Sequence, residues 1–267
     1  MLVGDILQKY IELGFDFGSA QNLAAEEIIL NKIASSPLAE QVTLKGGMVM
    51  FNLTKSNRRV TQDIDFDLIR FSIDDTSIKI FVEKLNSNND GIFASIQGDI
   101  EPLHQENYHG VRVHILLKDT KKGQLNIKLD IGVHTYLTIK QEKILFAFEG
   151  NENSISLKVN PCEQIFVEKS ISLAKLGPIS KRYKDIYDIY YLIENNLLNI
   201  SRVKRILGLF FEFSKKPPHD INEFYNSIED ALDNKAFAEE AKKPASKWLD
   251  VDYEIAKDKI MWFIAKL

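Results

Sequence analysis

The stretch Lys45-Gly46-Gly47 … Arg59-Val60-Thr61-Gln62-Asp63-Ile64-Asp65-Phe66-Asp67-Leu68 decides the fold of this chain. It sets two glycines and a cation ahead of a strand that carries carboxylates on one face. Successive side chains of a strand alternate, so Asp63, Asp65 and Asp67 project together while Ile64, Phe66 and Leu68 turn to the core. Neighbouring carboxylates repel, and a divalent cation is the usual neutraliser. Asp67 lies a further step along the strand and takes a structural or capping role. Glycines let backbone amides approach a phosphate closely. A phosphate-accepting turn followed by an Asp-x-Asp strand suits nucleotidyl transfer.

The neighbouring segments extend this reading. Gln41-Val42-Thr43-Leu44 is a short strand leading into Gly46-Gly47, and Met48 to Leu53 starts a helix whose amides point at a bound anion. Residues 19–36 form a helix with Ser19 as N-cap, closed by Ser36-Pro37. A helix ends over Phe81 to Leu85, before the loop Ser87-Asn88-Asn89-Asp90-Gly91. Strict alternation over 111–117 and 125–131, with Lys121-Lys122-Gly123 between, predicts an antiparallel hairpin. The N-terminal part is therefore a small mixed sheet with helices on one side. From residue 161 the pattern is helical, with helices over 162–175, 181–194, 201–214, 221–232 and 235–247 or beyond. Ile186, Ile189, Tyr190 and Ile193 form the apolar face of the second. The domains are 1–160 and 161–267, divided at Asn160-Pro161, and both are expected to contribute to one cleft.

The 267 residues are 45% hydrophobic and 27% charged, an ordinary globular composition with a net charge of −4. That balance argues against indiscriminate coating of nucleic acid but leaves room for a local basic patch. Cys162, the single cysteine, permits no internal disulfide and is read as inert packing. No apolar run reaches membrane-spanning length, and Met1-Leu2-Val3-Gly4-Asp5 lacks the order of a signal peptide. The expected location is cytoplasmic, without a membrane partner.

Asp130 lies on the polar face of its strand, opposite a continuous apolar row. A lone Asp in such a place is usually only solvated. If its strand neighbours the Asp63–Asp65 strand, three carboxylates converge, as two-metal phosphoryl transfer requires, with ions about 3.5–4 Å apart. Asp63, Asp65 and Asp130 would then ligate Mg2+, and Asp130 would also receive the acceptor hydroxyl's proton. Lys128, on the same face, would meet phosphate or an acid. Between Lys169 and Lys184 stand five basic residues and no acid, followed by Asp185 and Asp188. Lys181, Asp185 and Asp188 share a helix face. Such a cation binds the γ-phosphate of a nucleotide or, in the plainer reading, joins an internal salt-bridge network. The five histidines show no metal-ligand spacing. Tyr183, Tyr187, Tyr190 and Tyr191 fit a core face, Tyr183 also being open to a nucleotide.

These residues together resemble the AbiEii family of nucleotidyl transferase-like toxins, from about Glu26 to Leu192. The resemblance rests on Leu44-Lys45-Gly46-Gly47, on Arg59-x-Thr61-x-Asp63-Ile64-Asp65-Phe66, on Lys128-Leu129-Asp130, on Val167-Glu168-Lys169 and on Lys181-Arg182-Tyr183-Lys184-Asp185-Ile186-Tyr187-Asp188. It implies an α+β fold, a polymerase-β-type core followed by a helical C-terminal domain. It also implies transfer from an NTP to RNA, the 3′ end of tRNA, restrained by a cognate antitoxin. By position Asp63 and Asp65 match the metal-binding pair, Lys169 a catalytic lysine and Asp185 or Asp188 the acid of the last motif. Lys45, Gly46, Gly47, Arg59, Lys169, Arg182 and Asp188 are assigned to the nucleotide. Met48 departs from the family's Thr or Ser and removes one hydroxyl contact. The alternatives are a small-molecule or protein hydroxyl as acceptor, and a catalytically silent NTP- or RNA-binding module.

Overall fold

Alternation of apolar and polar residues builds the sheet. Along β6 (Gln124–Val133), Leu125, Ile127, Leu129 and Ile131 are buried, Asn126 and Lys128 are exposed and Asp130 is half-buried. β5 (Tyr108–Asp119) lies antiparallel on one side of it, and β2 (Asp63–Leu68) lies parallel on the other. The hairpin read from the sequence is therefore present, and the Asp-x-Asp strand adjoins its second arm. The computed structural model describes residues 2–55, 63–105, 108–148, 154–176, 183–243 and 250–267. The chain folds into two compact units, 1–160 and 161–267.

In the first unit β1 (Val42–Leu44) runs antiparallel to β2 and parallel to β8 (Ile155–Val159), which pairs with β7 (Glu142–Phe146). β3 (Ile92–Ile96) and β4 (Glu101–Gln105) both pair with β5, giving the order β3-β5-β6-β2-β1-β8-β7 with β4 off that path. The expected small sheet is thus a mixed sheet of eight strands. The β3, β4, β7 and β8 segments are too short to announce themselves.

The helices of this unit are α1 (Val3–Glu12), α2 (Phe17–Ala34), α3 (Gly46–Thr54) and α4 (Asp75–Leu85). The N-cap of α2 is Asp16, not Ser19. Asp16 is extended, and its carboxylate accepts the Ser19 amide proton at 3.0 Å, so Ser19 is the capped residue in the first turn. Ala20, Leu23, Ala24, Ile28, Ile29, Leu30 and Ile33 bury α2 around its whole circumference. The sheet, α1 and α4 all pack against it, so it is a central helix rather than one of a layer on one face.

The second unit comprises α5 (Cys162–Leu176), α6 (Tyr183–Glu194), α7 (Ile200–Phe213), α8 (Ile221–Asp233), α9 (Lys235–Lys242) and α10 (Tyr253–Ile264). Its core combines Phe166, Ile189, Val203, Ile206, Phe224, Ile228, Ala256 and Ile260, and Phe166 meets Phe263 edge-on at 5.2 Å. The expected tyrosine core is corrected. Tyr183, Tyr187, Tyr190 and Tyr191 are all half-buried, and Ile186, Ile189, Leu192 and Ile193 fill the interior instead. Among the described residues no helix is long and apolar enough to cross a membrane.

Candidate functional site

Strand register assembles the acids. In the parallel β2–β6 ladder Asp65 stands opposite Asp130 and Asp63 opposite Lys128, so the three aspartates share the polar face. Two carboxylates directly opposite each other are unfavourable without a cation between or beside them. Among the described residues Arg112 of β5, opposite Asp130 in the adjoining ladder, supplies such a cation. Its Nε donates to Asp130 Oδ1 at 2.7 Å and its Nη2 to Asp130 Oδ2 at 2.8 Å, a bidentate clasp. The same Nη2 lies 3.9 Å from Asp63. Both acids push the guanidinium pKa up, chiefly through the Asp130 hydrogen bond. Asp130, assigned to a metal from sequence, thus has both oxygens engaged by a side chain.

The glycine turn meets this face. Gly46 opens α3 at φ +42°, a left-handed conformation that favours glycine, and Asp65 Oδ2 lies 3.8 Å from where a Cβ would stand. The Lys45 amide donates to the Asp65 carbonyl at 2.9 Å, fixing the turn to β2. Lys45 supplies no side-chain cap to α3. Its ammonium is held by Asp67 at 3.2–3.3 Å, and Asp67 is buried, which gives that acid a structural place and ties down a lysine assigned to the nucleotide. Met48 is 2% exposed. The side chain that replaces a family hydroxyl therefore packs in the core.

Glu26 of α2 is the acid that sequence reading passed over. It is 1% exposed, and neither carboxylate oxygen has a hydrogen-bond partner among the described residues. Burial, with the Asp63 charge as second cause, pushes its pKa well above the ordinary carboxyl range. An uncompensated carboxyl beside Asp63 is a local excess of acid, of the kind a bound cation relieves. Among the described residues no three acids, histidines or cysteines group closely enough to hold an ion unaided. Mg2+ does not need such a cage, since it is commonly held by one or two carboxylates together with substrate phosphates and water. Asp63 and Asp65, oxygen donors two residues apart on one face, fit that requirement.

In the second unit Lys169 of α5 reaches Asp185 and Asp188 of α6 at 2.7 Å each. All three are nearly dry, with side chains 12%, 8% and 0% exposed. The lysine and both candidate acids of the last motifs are thereby brought together, as an internal ion-pair network. Arg59, Lys181 and Arg182 lie outside the described residues. Arg112 was passed over as a partner of Asp130, because a turn over 121–123 would set 112 opposite 132, whereas the observed register pairs 118 with 124 and so 112 with 130. Glu26 signals itself as a carboxylate amid Leu23, Ala24, Ala25, Ile28 and Ile29.

Residues 28–254 match the sequence profile of the family described as nucleotidyl transferase AbiEii toxin, type IV TA system. No curated protein matches the chain. An antigenic nucleotidyltransferase-like protein from Paracoccidioides brasiliensis is similar at 16% identity, over 77% of this chain and 94% of that one, with a TM-score of 0.40.

Proposed function

This chain belongs to the AbiEii family of nucleotidyl transferase toxins of type IV toxin–antitoxin systems, and on that premise we propose that it transfers nucleotides from an NTP to an RNA acceptor, the 3′ end of tRNA, in the cytoplasm, with a cognate antitoxin holding it in check. The observation that carries this reading is the polar face of β2, where Asp63 and Asp65 stand beside Asp130 of β6. Asp63 and Asp65 would hold Mg2+, which supplies charge neutralisation to the triphosphate and to the attacking oxygen. The acceptor hydroxyl oxygen bonds to the α-phosphorus as the bond to diphosphate breaks. The hydroxyl proton passes to Asp130, whose orientation the Arg112 clasp fixes. Gly46 and Gly47 present amides to phosphate. Within the second unit the Lys169–Asp185–Asp188 ion pairs hold α5 against α6.

Incubation of the protein with each α-labelled NTP, Mg2+ and total RNA tests this. Label is expected in tRNA-sized RNA and absent with EDTA. Label in protein or in a small molecule would move the acceptor to another class. A second reading, a silent NTP- or RNA-binding module, is favoured by the engagement of both Asp130 oxygens. It predicts nucleotide or RNA binding without release of diphosphate.

A further inference from the structure

The second unit holds two populations of cations. Lys242, Lys243, Lys257 and Lys259 each lie against a carboxylate, namely Glu254, Glu240, Asp233 and Glu194. Arg202 of α7 meets Glu163 in the same way, but three cations further along differ. Lys204, Arg205 and Lys215 are exposed, and none of them forms an ion pair or hydrogen bond among the described residues. Lys175, at the end of α5, donates to Ser214 Oγ at 3.0 Å, and Ser214 Oγ donates to the Lys216 carbonyl at 2.6 Å. That pair of bonds draws a further ammonium to the same end of α7.

The exposed residues Ser201, Lys204, Arg205, Gly208 and Glu212 recur at helical spacing and so form one stripe. Gly208 sits at its centre. A Cβ built there meets nothing within 4 Å, and its backbone is helical, so nothing among the described residues requires a glycine. Glycine in an exposed helix interior weakens the helix relative to alanine. Its remaining use is close approach by something outside the molecule.

We propose that the α7 stripe seats the phosphate backbone of the RNA acceptor, with Lys204, Arg205 and Lys215 as phosphate contacts and Gly208 as the point of closest approach. Cations left unspent on internal acids release counterions when they meet phosphate. Glu212, the acid on the stripe, separates the Lys204–Gly208 turn from the Lys215–Lys216 segment, so a phosphate sits on either side of it. This surface rests on the RNA acceptor proposed above.

The test uses the full chain and fluorescein-labelled bulk tRNA, with anisotropy read from about 50 to 250 mM salt. The double variant Lys204→Ala/Arg205→Ala is expected to lose about eightfold in affinity per contact at 0.1 M salt and to flatten the log–log salt slope by about 1.8. Gly208→Gln is expected to melt at or above the parent's temperature while binding at least fivefold more weakly, a combination that internal damage does not give. Parent-like affinity and slope in both variants, with the parent binding tRNA, would overturn this surface and leave the acceptor reading intact. An acidic protein partner on this face would give that same result. A parent that binds no RNA at any salt would remove both.

Discussion

Replacing Arg112 by Met removes the clasp on Asp130 while keeping most of the aliphatic stem. Two charge-assisted hydrogen bonds at 2.7 and 2.8 Å are lost, each contributing about 1.5–3 kcal/mol when well shielded. Arg112 is 31% exposed and Asp130 14%, so water recovers a good part of that. Asp65 and Asp130 then face each other across the ladder without the guanidinium, adding up to about 1 kcal/mol of repulsion. The expected loss is about 2–3 kcal/mol, or about 5–10 °C in Tm for a chain of this size. Thermal unfolding in EDTA measures it. Repeating the scan in millimolar Mg2+ tests the site itself, because a cation held by these acids substitutes for the missing charge. The variant should recover several degrees and gain more from Mg2+ than the parent does. A Tm within a degree of the parent's in EDTA would refute the energetic account of the clasp. Loss without any differential recovery would refute ion binding by this face.

Glu26 is read by pH. Its folded-state pKa is raised by burial above the ordinary 4.5, so the unfolded chain gains more from ionisation, and stability is lost as pH rises from about 4.5 toward the folded value at about 1.4 kcal/mol per unit. Glu26→Gln should remove that slope and melt above the parent at pH 7–8, with the gap closing near pH 4.5; parallel curves would show that the carboxyl carries no such penalty. Lys169→Met leaves Asp185 and Asp188 buried without their shared cation and should cost about 3–5 kcal/mol in guanidinium unfolding, with Lys169→Arg restoring part. Unchanged stability with lost nucleotide binding would instead make Lys169 a nucleotide contact and not a strut.

The elements legible in the sequence were those with a strong period. β2, β5 and β6 alternate cleanly, and the apolar spacing of α5, α7 and α8 placed their ends within a residue or two. β3, β7 and β8 are five residues each, too short for a decisive alternation, and β3 and β8 also pair with strands more distant in sequence. α1 carries a single apolar stripe of Val3, Ile6 and Tyr10, too short to stand out. At the candidate site the acids on β2 were visible because alternation fixes their face. The Arg112 clasp needed the hairpin register drawn residue by residue. Asp67 and Lys45 neutralise each other through a contact between β2 and the turn after β1, which no spacing rule reveals.

The most direct test of the central claim is diphosphate release and label transfer to RNA by Asp65→Asn beside the parent, with thermal unfolding of both in EDTA. Asp65 stands opposite Asp130 and against Gly46, and on this account its charge would serve a bound cation. The account predicts that transfer falls by about a thousandfold or more, as loss of a principal transition-state charge contact does, while Tm holds or rises. Full transfer by the variant, or lost transfer accompanied by a collapse in Tm, would contradict it.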